Sequence, residues 1–279
     1  MRMGFASFSF PRDTPIETVV NSVRKQGFQG LELNMWRGFQ ADIARLSHSD
    51  IGRIKRLCDE AGLEIPAIGC HEGYTSPNPA VRAEALQRTR RCIDAAAGVD
   101  VGIVITMSGS LQRGQSFEQA WSLMVPAVAE VVDYASEHGI TIAFEPHVGL
   151  IVDSVDTMLR LLKEVPSRHL KMNFDGSQFA VRGWDVPALV RRTAEHIVYT
   201  HLKDTRGIVP NFEFLIPGEG DFDIKAFLVA LRQVGYEGYV TTEISGMRSS
   251  KPGYDPQQAL RLSYETVSRA FKEAMIELR

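Results

Sequence analysis

Short apolar runs alternate with longer amphipathic stretches along the whole chain. Residues 3–10 form the first run. After it, Asp13 or Thr14 stands where a helix cap belongs, with Pro15 at the first helical position. Ile16, Val19, Val20 and Val23 then recur at the spacing of one helical face, and Gly27 ends the stretch. The unit repeats. Residues 30–34 and 64–70 read as the second and third strands, separated by a polar loop with Trp36 and Phe39 and a helix over 50–61 capped by Ser49. A helix over 79–97 leads to a β-branched fourth strand at 101–106 and the small-residue loop 108–110. A long helix over 117–138 follows, in which Pro126 predicts a kink or a break.

The second half keeps the alternation and adds chemistry to it. Residues 140–144 lead into Glu145, 170–174 into Asp175, 197–200 into His201, and the strand over 238–243 ends on Glu243. Helices over 154–164, 185–193, 224–234 and 256–278 are interleaved with these runs, and a long loop extends from His201 to Asp221. Eight strand–helix pairs result, with no composition shift, linker or low-complexity segment, so residues 1–279 read as one domain. Apolar strands separated by amphipathic helices predict a parallel sheet covered by helices. Eight units in this length predict an α/β fold of the closed (β/α)8 barrel kind, the TIM barrel. An open dinucleotide-binding sheet would carry a glycine-rich loop after its first strand. Ser9, Phe10, Pro11, Arg12 and Asp13 stand there instead.

Composition narrows the functional classes. The chain is 44% apolar and 23% charged with a net charge of −3 and no basic run, which argues against a nucleic-acid partner. The three cysteines, Cys58, Cys70 and Cys92, form no CxxC and suit a reducing cytoplasm. No leader-like segment opens the chain, and no apolar run reaches the roughly 18 residues of a membrane span, so a cytoplasmic protein without a membrane partner is expected.

The barrel gives the four endings their meaning. Parallel barrel strands bring their C-terminal ends to one face, where active sites of this architecture lie. Glu145, Asp175, His201 and Glu243 would converge there from strands five to eight. A lone acidic residue after a strand commonly caps the next helix. Three carboxylates and one imidazole from adjacent strands instead form the donor set of one divalent ion: Mn2+, Mg2+, Co2+ or Zn2+. With such an ion to polarise a carbonyl, Glu145 and Glu243 are candidate acid and base for moving a proton on the neighbouring carbon through an enediolate.

Several segments carry a family resemblance: Phe144-Glu145-Pro146-His147, Asn173-Phe174-Asp175-Gly176-Ser177-Gln178-Phe179, His201-Leu202-Lys203-Asp204, Gly218-Glu219-Gly220-Asp221-Phe222, Gly235-Tyr236-Glu237-Gly238, and Glu243 after the last. Over all eight repeats the chain resembles the sugar phosphate isomerase/epimerase family, also called the xylose isomerase-like TIM barrels. The resemblance implies that the four strand-end residues hold one divalent metal, often manganese. It also implies that the two glutamates shuttle protons at the substrate carbons and that the protein is a homo-oligomer. Many members place a histidine three residues after the metal aspartate, where this chain has Gln178. The family's ketose 3-epimerases carry a second glutamate six residues after the first, where this chain has Ile151.

Substrate-binding candidates are His71 and His147, just past strands three and five, with Gln178, Lys203, Arg206 and Glu32. For Lys203 the alternative is a structural ion pair with Asp204. Trp36 and Phe39 offer an apolar wall for a sugar ring. The expected function is isomerisation or epimerisation of a keto sugar or sugar derivative. The alternative is a lyase or dehydratase acting on a keto-glycoside, inosose or dehydroshikimate-like substrate through the same metal site. A DNA-repair endonuclease of the apurinic-site type would need three zinc ions and more histidine and aspartate ligands than this chain supplies. A sugar-binding barrel without catalysis is the outcome if no metal binds.

Overall fold

In the computed structural model, which describes residues 1–277, the apolar runs close into one barrel of eight parallel strands. In chain order the strands are Arg2–Ala6, Gly30–Asn34, Ile68–Gly69, Ile103–Met107, Thr141–Glu145, Leu170–Asp175, Ile197–Leu202 and Tyr239–Thr242. Each pairs with its neighbour in sequence, and the first pairs with the last, Arg2 opposite Tyr239 and Phe5 opposite Thr242. The (β/α)8 expectation therefore holds.

Two cores divide the apolar side chains. A large one joins the outward faces of the strands to the helices. A small one, Ala67, Ile105, Ala143, Tyr199 and Tyr239, fills the barrel itself, with the Tyr199 hydroxyl 2.6 Å from Thr241 Oγ1. Strand side chains alternate between faces, so the residue two positions on shares the face. Ala143 inside the barrel thus predicts Glu145 inside its mouth, and Tyr199 predicts His201. The core residues aim the polar ones.

Local chemistry moves several boundaries. The first strand ends at Ala6 because Ser7 and Ser9 turn away: Ser7 Oγ accepts from the Asn34 N–H at 2.8 Å, and Ser9 Oγ accepts from the Ile244 N–H at 2.9 Å. The third strand shrinks to two residues, with an isolated bridge from Gly30 to Glu64, because Pro66 removes a ladder donor from the middle of the run. The first helix, Ile16–Gln26, has neither Asp13 nor Thr14 as its cap; Pro15 takes that place, and its carbonyl accepts from Thr18 and Val19. The helix Phe117–Glu137 runs unbroken through Pro126, held by its buried face of Trp121, Met124, Val128, Val131 and Val132. The last helix is Pro256–Glu273 with Ala274 as its cap; Leu278, the expected end, lies outside the described residues. The stretch after the seventh strand is not an open loop but an antiparallel hairpin, Asp204–Ile208 with Asn211–Leu215. Among the described residues, no helix is long and apolar enough to cross a membrane.

The second helix, His48–Glu60, is capped by Ser47 rather than Ser49. Ser47 and Asp50 form a reciprocal capping box, whereas the Ser49 hydroxyl reaches only that of Ser47. Ser47→Ala is expected to lower stability by about 1 kcal/mol and Ser49→Ala to leave it nearly unchanged. Denaturant midpoints of the two variants check this; equal losses would contradict the assignment.

Candidate metal centre

The four strand-end residues meet at the C-terminal mouth. One ligand atom from each of Glu145, Asp175 and His201 lies within 4.8 Å of the others, and all three residues are buried. Glu243 joins from the eighth strand, its Oε2 2.9 Å from His201 Nδ1, with Glu145 Oε2 3.2 Å from the same nitrogen.

Asp175 does two jobs. It caps the short helix Gly176–Ala180, which the sequence pattern did not show, with Oδ1 accepting from the Ser177 N–H at 3.0 Å and the Ser177 hydroxyl at 2.5 Å. Its Oδ2 accepts from Gln178 Nε2 at 3.1 Å and from Lys203. Gln178 also accepts from the Val148 N–H at 3.1 Å, tying the ends of strands five and six together.

His201 is oriented from behind. Its Nε2 lies 2.6 Å from Glu32 Oε2, with both side chains fully buried. With Nε2–H donated to Glu32, Nδ1 is the ring atom that faces Glu145 and Glu243, and its lone pair would be open to a cation once the proton there is lost. This is the carboxylate–histidine arrangement found behind metal-binding imidazoles. Burial opposes charge on His201, but the carboxylates of Glu32, Glu243 and Glu145 overcome it and hold the imidazole well above its ordinary pKa. Burial likewise opposes ionisation of Glu243, and Lys203 and His201 pull it well below the usual carboxylate range. Glu145 is lowered as well, against burial, chiefly by His201. So many carboxylates in a buried space call for positive charge. Glu243 Oε2 makes no well-aligned hydrogen bond, although His201 Nδ1 lies 2.9 Å away. This donor set fits a hard or borderline divalent cation.

The remaining candidates separate. His71 and His147 both line the pocket over the centre, which has a volume of about 580 Å3 and also includes Glu145 and Glu243. The His71 ring stacks on His201 at 6.5 Å between centroids, but its Nε2 is buried. His147 spends Nδ1 on the Val148 carbonyl at 2.9 Å. Trp36 and Phe39 stack at 5.5 Å and form one wall of the pocket. Three candidates stand elsewhere than expected. Glu32 is fully buried behind His201 and is not among the residues that line the pocket. Lys203 is buried between Asp175 and Glu243, 2.9 Å from Glu243 Oε1, and makes no pair with Asp204. Arg206 is exposed on the hairpin, 3.7 Å from Asp221 and bonded to the Glu219 carbonyl.

Sequence reasoning missed Asn173. Its Nδ2 lies 2.9 Å from Glu145 Oε2 and 3.0 Å from His201 Nδ1, bracing both. The two-residue strand period was the available signal, because Asn173 shares the face of Asp175. Glu32→Gln is expected to weaken divalent-metal affinity by about 10–100-fold, the usual cost of losing such a partner. Titration with Mn2+ measures it, and unchanged affinity would remove Glu32 from this role.

The family model for the xylose isomerase-like TIM barrel matches residues 20–266. Rhizopine catabolism protein MocC of Rhizobium meliloti is 26% identical over 279 residues, covering 90% of this chain and 79% of that protein. Fructoselysine 3-epimerase of Shigella flexneri is 24% identical over 258 residues, covering 88% and 91%. Inosose dehydratase of Geobacillus thermodenitrificans is 26% identical over 141 residues, or 45% of this chain and 47% of that enzyme. Among solved structures, D-psicose 3-epimerase with D-tagatose from Clostridium cellulolyticum H10 superposes with a TM-score of 0.82 at 16% identity, covering 99% of this chain and 100% of the other. The IOLI protein with a binding zinc atom also gives 0.82 at 16% identity, covering 98% and 99%. At these identities the structural likeness establishes the shared fold.

Proposed function

The chain belongs to the xylose isomerase-like TIM barrel family, and from that premise we propose that it is a metal-dependent isomerase or epimerase of a keto sugar or sugar derivative. The observation that carries the reading is the pair Glu145 and Glu243. They come from strands five and eight, line one pocket, and meet at His201 Nδ1 with depressed pKa values.

Glu145, Asp175, His201 and Glu243 would hold one divalent ion, with Mn2+ our first assignment ahead of Mg2+, Co2+ and Zn2+. When bound, such an ion supplies Lewis-acid stabilisation for negative charge developing beside a carbonyl. The chain's own residues do the rest. Glu145 and Glu243, ionised at neutral pH, take a proton from the substrate carbon and return one to it. Lys203 holds Asp175 and Glu243 in place, and Gln178 fixes Asp175 against the end of strand five. His71 and His147 border the substrate, and the stacked Trp36 and Phe39 give a ring an apolar surface to lie against. We further assign the protein to the cytoplasm as a homo-oligomer; its three buried free thiols support a reducing compartment.

A second reading is supported by the inosose dehydratase relative. Proton removal by the same glutamates followed by loss of a β-leaving group gives a lyase or dehydratase. Mass spectrometry after incubation with ketoses, keto-glycosides and inososes separates the two, because isomerisation conserves mass and elimination loses water or an aglycone. Elemental analysis should find one divalent ion per chain. Finding none, with no response to added Mn2+, would remove both readings.

A further inference from the structure

The pocket over the centre is uneven in charge. Its buried side carries Glu145 and Glu243, and its exposed rim carries Arg12, the one lysine or arginine among the described residues that line it. A row of rings joins the two ends. His201 lies 6.5 Å from His71 between centroids, His71 lies 6.1 Å from Trp36, and Trp36 lies 5.5 Å from Phe39. The Arg12 guanidinium carbon is then 4.7 Å from the Phe39 ring centroid, a cation–π contact that holds the side chain over the ring. Gln40 pins the backbone just ahead of it, its Nε2 donating to the Pro11 carbonyl at 2.7 Å. Among the described residues, no carboxylate pairs with the Arg12 guanidinium. The basic residues beside other pocket-lining positions are committed: Arg37 to Glu84 at 2.6 Å, Arg248 to Glu219 at 2.9 Å and Lys251 to Glu213 at 2.6 Å. The planar fork of Arg12 is left to pair with a group from outside the chain.

We propose that Arg12 is a specificity-determining residue that binds an anionic group, a phosphate or a carboxylate, at the end of the substrate remote from the reacting carbons. The assignment deepens the keto-sugar reading given above and rests on it. A guanidinium matches either anion through two parallel N–H···O bonds. The carboxylates of Glu145 and Glu243 repel such a group and Arg12 attracts it, so charge orients the substrate with its keto end toward the buried side. The body of the sugar lies between the two, against Trp36 and Phe39. The pocket volume of about 580 Å3 falls within the ~300–1000 Å3 of sites that enclose drug-sized ligands, enough for a sugar and its charged substituent.

Calorimetric titration of the Mn2+-loaded protein with D-fructose, D-fructose 6-phosphate and D-fructuronate tests the assignment. At least one charged ketose should bind about five- to tenfold more tightly than D-fructose, the worth of a partly exposed charge-assisted contact. Which of the two gains affinity separates phosphate from carboxylate. Raised ionic strength should shrink the preference. Arg12→Met should abolish it, and Arg12→Lys should restore part of it. A residue that merely closes the wall over Phe39 would instead lower affinity for all three sugars alike. That uniform loss, or charged ketoses binding no more tightly than D-fructose, would overturn the role of Arg12 and leave the keto-sugar reading standing. Conversion of no ketose, keto-glycoside or inosose by the Mn2+-loaded protein would overturn that reading and this assignment together.

Discussion

Glu243→Gln is expected to lower kcat by about 10²–10⁴-fold, the usual contribution of a positioned general acid or base, without unfolding the barrel. Glutamine preserves the side-chain volume on the eighth strand, so the backbone bond from the Glu243 N–H to the Leu202 carbonyl at 3.0 Å should persist. The charge does not persist. Lys203, 2.9 Å from Glu243 Oε1, keeps only Asp175 as an ionised partner, and His201 loses a carboxylate at Nδ1. Turnover should be measured at saturating Mn2+, so that weaker metal binding is not mistaken for lost proton transfer. Near-normal kcat under those conditions would exclude Glu243 as an essential base.

Asp204→Ala should be the most destabilising single change on the active face, at about 3–5 kcal/mol, because buried donors left unpaired cost about 1–3 kcal/mol each and such losses are not fully additive. Asp204 is buried at the base of the hairpin. Its Oδ1 accepts from the N–H groups of Thr205 at 2.8 Å and Phe222 at 3.0 Å, and its Oδ2 from those of Gly218 at 2.8 Å and Gly220 at 3.0 Å. Gly220 allows this closure, since a Cβ there would lie 2.4 Å from the Thr205 carbonyl oxygen. A drop in Tm for Asp204→Ala, with a smaller drop for Asp204→Asn, would match this geometry. A Tm within a degree of the unmodified protein would contradict it.

The fold was legible because its signal repeats. Eight apolar runs separated by amphipathic helices predict a barrel even when individual ends are misplaced. The misplaced ends have local causes that periodicity does not report. Ser7 and Ser9 serve distant backbone donors, and Pro66 thins the third strand. The hairpin after strand seven hid because its sequence, Asp204 to Leu215, includes Pro210 and lacks a sustained apolar alternation. At the site, the four strand-end residues could be read because each finishes an apolar run. The roles of Glu32 and Lys203 could not, because they depend on distance across the barrel. Glu32 meets a histidine 169 positions later in the chain, and no local pattern encodes that meeting. The neighbours Lys203 and Asp204 look like an ion pair in one dimension. In the structure Lys203 serves the carboxylates of Asp175 and Glu243, and Asp204 serves the hairpin amides.

The pairing of the first strand with the eighth has a consequence for how the protein is made. Glu145, Asp175 and His201 all leave the ribosome well before Glu243, yet residues 2–5 wait for Tyr239–Thr242 as their ladder partner. Ser9 likewise waits for Ile244 and Tyr254, which bond its hydroxyl and its carbonyl. Until that last strand emerges, the N-terminal strand has one open edge and the centre lacks its fourth carboxylate. Contacts of such long sequence separation form late and slowly. Pairing the first strand with residues 239–242 both closes the barrel and brings Glu243 to the acidic centre, so the two steps are coupled.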